Sequence, residues 1–205
     1  GFQAQVTGSL NLRSLTSLPP GFSVQVGGAL NLASLTSVPE YLVLRAGTDL
    51  YLPALTSISR GFLPNCGGEL NLEGLTSLPE DFPLQFDGSL YLPGLTSIGS
   101  WFNPRVGGFL ALDGLRAIPE GFCPVVGSHL YLNGLTKLSK GFGPTVGDSL
   151  YLKSLKKLNK GFAQNFKGDL GLDSLTSLPA GFVPQVGGEQ VGDARDGRGE
   201  HLQRH

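Results

Sequence analysis

The chain repeats itself every 20 residues. From Gly1 to about residue 190 it divides into nine full units and the start of a tenth, with no insertion or deletion between them; residues 21–40 read GFSVQVGGALNLASLTSVPE and residues 61–80 read GFLPNCGGELNLEGLTSLPE. A period of this size is the mark of a solenoid or array, in which each unit rests only on its neighbours. The 205 residues are therefore expected to form one elongated domain over 1–189, followed by a polar tail over 190–205, rather than one or two globular domains.

Numbering each unit 1 to 20 from its Gly-Phe separates the columns. Leucine fills positions 10 and 12 in every full unit, from Leu10 and Leu12 to Leu170 and Leu172. That alternation predicts a strand with one buried face, so position 11 points outward. Position 15 is also always leucine, position 18 is Leu, Ile or Val, position 2 is Phe except at Leu42, and position 6 is mostly Val. Six inward side chains per coil are expected from these columns. Gly-Gly pairs at positions 7 and 8, such as Gly27-Gly28 and Gly107-Gly108, suit positive φ just before a strand. Small residues at position 14 predict a tight corner between Leu12 and Leu15. Proline at position 19 (Pro39, Pro79, Pro119) is read as ending a second extended segment. Where position 6 grows to Phe86 or Phe166, position 7 loses its glycine, to Asp87 and Lys167, which reads as a local change of turn.

Composition narrows the class. The formal net charge is -1, which gives no global attraction to nucleic acid or anionic membrane, and no apolar run approaches the ~18 residues of a membrane span. The chain lacks methionine and Gly1 already sits in repeat phase, as expected of a fragment or processed segment. Cys66 and Cys123 lie nearly three coils apart, ~14 Å at strand spacing, whereas a disulfide needs Cα atoms within ~7 Å. They are expected to remain free, Cys66 as a small core residue and Cys123 in a loop.

The string LYLPGLTSIGSWF, Leu90 to Phe102, resembles the core of the BspA-like leucine-rich repeats of bacterial surface proteins, in a shorter unit. The likeness spans about residues 1 to 190. It implies a mainly β, right-handed leucine-rich-repeat-like solenoid with a continuous parallel β-sheet and few or no α-helices. It also implies a partner-binding role, on a bacterial surface or in a secreted protein, without shared catalytic residues. The chain departs from that pattern at position 15, where leucine replaces the asparagine of the usual ladder; the turn there is expected to satisfy its backbone another way, through Thr16 and Ser17.

Function must then be sought in the variable columns. Position 11 runs Asn11, Asn31, Tyr51, Asn71, Tyr91, Ala111, Tyr131, Tyr151, Gly171 and holds four of the chain's five tyrosines. Exposed tyrosines are rigid amphipathic anchors, so Asn31, Tyr51, Asn71, Tyr91, Tyr131 and Tyr151 are candidate partner contacts; stacked Tyr and Asn can equally serve only to steady the ladder. Charge is segregated along the axis. Residues 41–120 carry eight acids against four arginines, whereas residues 121–167 carry seven lysines and one acid. Lys137, Lys140, Lys153, Lys156, Lys157 and Lys160 form a candidate basic patch for an acidic protein, an anionic glycan or a phosphate-bearing polymer, or else a solvated face.

No cofactor is called for. His129 is the only histidine in the array, no His/Cys cluster has metal-ligand spacing, and the Gly-Gly turns lack the Gly-Lys-Ser/Thr of a phosphate loop. No nucleic-acid motif accompanies the lysines. The sequence thus points to a non-catalytic binding or adhesion module for a protein or glycan, acting as a monomer or as part of a longer array. A structural spacer in a longer surface protein is the alternative. The Thr-Ser column at positions 16 and 17 adds a remote third, an ice-binding solenoid.

Overall fold

The computed structural model describes residues 3–159, 162, 165–180, 182, 185–186 and 190–191. Each 20-residue coil contributes two short strands. The first lies at unit positions 3 to 6: Gln3–Val6, Ser23–Val26, Val43–Ala46 and Leu63–Cys66 (β1, β3, β5, β7), then Gln85–Phe86, Arg105–Val106, Val125–Val126 and Thr145–Val146 (β9, β11, β13, β15), then Asn165–Phe166 and Gln185–Val186 (β17, β19). The second supplies the even-numbered strands: Leu10–Asn11, Leu30–Asn31, Leu50–Tyr51, Glu69–Asn71, Ser89–Tyr91, Leu110–Ala111, Leu130–Tyr131, Leu150–Tyr151, Leu170–Gly171 and Gln190–Val191 (β2 to β20). All pairings are parallel and join residues 20 apart, as in Leu90 with Leu110 and Tyr131 with Tyr151. The even strands form one continuous 10-stranded sheet. The protein is a parallel β-solenoid, and the described residues contain no helix.

The core is a stack of identical layers. In coils two to eight the leucines of positions 10, 12 and 15 are all 0 % exposed. The Phe column is continuous as well, with Phe122, Phe142, Phe162 and Phe182 in successive ring contact. A seventh inward position corrects the expected six: position 4 is buried at Val24, Leu44, Pro64, Pro104, Pro124 and Pro144. It alternates with position 6, so the second ladder lies at positions 3 to 6. The segment around position 18, expected to be the second extended strand, pairs in no ladder.

The glycines at position 7 serve a different purpose from the one expected. Positive φ occurs at position 1, in Gly21, Gly61, Gly121, Gly141 and the non-glycine Tyr41 (φ 58). At position 7 the constraint is the preceding coil: a Cβ on Gly127 would stand 2.1 Å from the carbonyl oxygen of Gly107, and one on Gly147 2.1 Å from that of Gly127. The first ladder breaks between β7 and β9 and again between β15 and β17, at the two coils where position 6 is Phe86 and Phe166. The larger ring coincides with the break in both coils, and position 7 there holds Asp87 and Lys167 in place of glycine. At coil five the close approach moves one residue on, where a Cβ on Gly88 would meet the Gly68 carbonyl oxygen at 1.8 Å.

The position-14 corner is a β-turn in which the Leu15 amide donates to the Leu12 carbonyl at 3.0 Å, repeated at Leu35, Leu55 and onward. This bond, rather than the Thr16 and Ser17 hydroxyls, satisfies the turn that follows the strand. Among the described threonines of the column, Thr96 donates its hydroxyl to the Thr76 carbonyl at 3.4 Å, a local backbone contact. Both cysteines are free; Cys66 is half-buried and Cys123 exposed, and burial pushes the Cys66 thiol up to about 11. Strand β20 carries the long sheet to Val191, two residues past the expected end of the array; residues 192–205 lie outside the described set.

Gly127→Ala is expected to cost about 2 kcal/mol, because the backbone must part to admit the methyl. Gly8→Ala, where an added Cβ meets nothing within 4 Å, should be neutral or slightly stabilising. Thermal midpoints of the two variants check this; equal midpoints would remove the close-approach explanation.

Candidate functional site

Positions 9 and 11 share the outer face of the 10-stranded sheet, because side chains alternate along a strand. The asparagines of position 11 are committed to the fold. Asn31 Oδ1 accepts from the Ala33 amide at 3.0 Å and Asn71 Oδ1 from the Glu73 amide at 3.2 Å, while Asn71 Nδ2 donates to Glu69 Oε1 at 3.0 Å. Each thus satisfies the amide two residues on. Where position 11 is instead Tyr51 or Tyr91, position 13 is Pro53 or Pro93, which has no amide hydrogen to satisfy. At Tyr131 and Tyr151 a third solution appears: the Asn133 amide donates to Asp113 Oδ1 (3.1 Å) and the Lys153 amide to Asn133 Oδ1 (3.3 Å), each one coil back. Asn31 and Asn71 therefore have a structural duty in their own turns.

The tyrosines divide into one isolated and three connected. Tyr51 stands between asparagines, its hydroxyl donating to Asp49 Oδ2 at 3.4 Å. Tyr91, Tyr131 and Tyr151 belong to an unbroken aromatic strip. Phe109, from position 9, packs edge-on against Tyr91 at 6.4 Å and against Tyr131 at 6.2 Å, and Tyr131 stacks on Tyr151 at 5.0 Å with planes 7° apart. Phe109 bridges the gap that Ala111 leaves in the column, and Ala111 is buried there. His129 lies within 6.1 Å and 6.4 Å of the Tyr131 and Tyr151 rings. Its Nδ1 is 3.6 Å from Asp148 Oδ2. Lys153 Nζ sits 5.9 Å from the Tyr151 ring centre, within reach of a cation–π contact. Past the last ring a Cβ on Gly171 would meet Tyr151 Cδ1 at 2.8 Å, so column 11 takes glycine where that ring leans across it. Phe109 and His129 were legible as members of the strip, since position 9 has the same parity as position 11; reading column 11 alone hides them.

The strip is partly desolvated. Burial raises the Tyr131 phenol above its ordinary value of 10.0, with help from Tyr151, Asp113 and Asp148. Burial likewise raises Tyr91, aided by Glu73 and Asp113. Tyr51 is raised first by the charge of Asp49 and then by burial. Lys137, Lys140, Lys153, Lys156 and Lys157 are all exposed. The structure brings Lys153 to the strip and leaves the others beyond the position-14 corner; Lys160 lies outside the described residues. Among the described residues no three His, Cys, Asp or Glu side chains are grouped to hold a metal ion, and no helix is long and apolar enough to cross a membrane. No protein-family model, curated protein or solved structure matches the chain.

Raised phenol pKa values make stability depend on alkaline pH. The folded pKa lies above the unfolded one, so the contribution is whole below about pH 10 and falls as pH rises through that value. Urea midpoints are expected to decline over this window in the native protein. The decline should be shallower in the Tyr51→Phe, Tyr91→Phe, Tyr131→Phe variant, which keeps the rings and loses the ionisation. An identical decline in both would show that these phenols are not the source.

Proposed function

We propose that the chain is a non-catalytic binding module that presents the aromatic strip of its long sheet to a protein or glycan partner. One observation carries this reading: four rings, Tyr91, Phe109, Tyr131 and Tyr151, remain half-exposed in continuous contact on one face. A rigid row of rings supplies contact area at little conformational cost and is characteristic of binding hot spots. The likeness of the repeat to BspA-like leucine-rich repeats supports the same reading and extends it to adhesion by a secreted or cell-surface protein.

A structural spacer is the second reading, and a specific observation favours it. The position-11 asparagines are engaged with their own turns, and the rings contact one another as a stabilising ladder would. The two readings part on one experiment. Tyr91→Ser, Tyr131→Ser and Tyr151→Ser together should weaken adhesion to an immobilised panel of proteins and neutral glycans at least tenfold, with the melting transition retained. Adhesion unchanged in a folded triple variant would favour the spacer.

A further inference from the structure

A second site lies at a different corner of the solenoid, where coils seven and eight pass through positions 16 to 20. Lys137, Lys140, Lys156 and Lys157 are exposed there, and the ion pair of His129 with Asp148 involves none of them. Four ammonium groups held close repel one another, which favours an anion among them. The same corner contains a groove. Phe142 and Phe162, stacked at 6.4 Å and 9°, form its apolar floor, and Ser139, Lys140 and Asn159 line its rim. Coil three has a similar pair, Ser59 and Arg60, with Ser59 donating to the Val38 carbonyl at 2.8 Å; what sets coils seven and eight apart is two such coils in succession beside Lys137, Lys156 and Lys157, whereas Pro39, Pro79 and Pro119 hold position 19 and Glu40, Glu80 and Glu120 position 20 elsewhere. Ser139 donates to the Ile118 carbonyl and Asn159 Nδ2 to the Leu138 carbonyl at 3.4 Å. These bonds use a donor of each side chain and leave its oxygen free to accept.

We infer that this corner binds an acidic polysaccharide, one whose sugar rings carry carboxylates. The three parts of the site match the three parts of such a ligand. The Phe floor takes the C–H face of a pyranose, the oxygens of Ser139 and Asn159 accept its hydroxyls, and the lysines take the carboxylates of successive residues. Nucleic acid fits less well. A duplex carries a charge per ~1.7 Å of axis and gains affinity by neutralising many phosphates, but Glu120 is exposed on the coil immediately before the patch. A sparsely charged chain crossing two coils meets only lysines.

The test uses the intact protein in affinity electrophoresis through gels containing polygalacturonate, alginate, hyaluronan or neutral dextran, with a short DNA duplex as competitor. At least one polyuronate should retard the protein, dextran should not, and the retardation should weaken from low to physiological salt. Lys137→Gln, Lys140→Gln, Lys157→Gln should raise Kd at least tenfold. Asn159→Asp, which keeps the shape of the rim and adds a negative charge, should also weaken binding; melting curves verify that each variant is folded. The Tyr91, Tyr131, Tyr151 serine variant should bind as the native protein does, so failure of the aromatic-strip reading and failure of this one are distinguishable. No retardation by any polyuronate, equal retardation by dextran, indifference to the lysine substitutions, or tighter binding of the duplex would each overturn the proposal.

Discussion

Every feature of this molecule depends on one coil lying directly on the next, in a register of 20 residues held by parallel backbone bonds. In the long sheet the Leu10 amide donates to the Ala29 carbonyl and the Leu12 amide to the Asn31 carbonyl; the first ladder bonds in the other direction, the Gly127 amide to the Val106 carbonyl. Because the pairing is parallel and exact in register, each side chain stacks on the same position of its neighbours. A leucine meets leucines, a phenylalanine meets phenylalanines, and a misfit is felt at once by the coils above and below. No coil has a core of its own; the apolar interior exists only through the stack. The absence of any insertion or deletion follows, since one extra residue would turn the alternating side chains of a strand to the wrong face.

The same register poses a problem of unpaired amides, and side chains solve it column by column. The amide at position 9 points back toward the preceding coil, where Ser9, Asp49, Ser89 and Ser149 accept from Ala29, Glu69, Phe109 and Asp169. The amide at position 13 is satisfied by an asparagine two residues earlier, removed by a proline, or satisfied by Asp113 or Asn133 of the preceding coil. An unsatisfied buried amide costs on the order of 1–3 kcal/mol, comparable to the loss of a core methyl group, so columns 9, 11 and 13 vary together rather than freely. This coupling explains why tyrosine enters column 11 where it does: only where something other than a position-11 asparagine has dealt with position 13.

The repeat, the inward leucines, the position-14 corner and the parallel sheet were legible in the sequence, because each rests on the identity of a residue recurring at a fixed interval. The rest depended on distances between coils. Gly127 reads equally well as a positive-φ glycine or as a glycine crowded by a carbonyl; only the 2.1 Å approach separates the two. The Pro64 and Pro104 column did not register as core, since proline breaks an apolar pattern without leaving the interior. The break of the first ladder at Phe86 and Phe166 required knowing which strands pair. Of the rings in the aromatic strip, Tyr91, Tyr131 and Tyr151 were legible as one outward column, while Phe109 was not, because its contacts cross two columns. Asn31 and Asn71 were picked out by exposure, and their hydrogen bonds, invisible in the sequence, give them a structural reason to be there.

The constraints of stacking also indicate where specificity can reside. A column under strict packing or hydrogen-bond duty cannot change in one coil without disturbing its neighbours, so it repeats and carries no address along the axis. Distinctive chemistry is confined to places where a column departs from its habit and the neighbours tolerate it. Four such departures fall within coils six to nine: Phe109 over Ala111, His129 beside the stacked Tyr131 and Tyr151, Lys137 with Lys156 and Lys157 in the Thr-Ser column, and Gly171 under the last ring. Coils one to four keep closer to the common pattern at the same positions. A scaffold made of equivalent units thus becomes directional, with an acidic, regular half and a basic, aromatic half. A partner recognising the second half, as proposed, would be placed at a defined height on the rod by the pattern of exceptions, which the regular coils cannot supply.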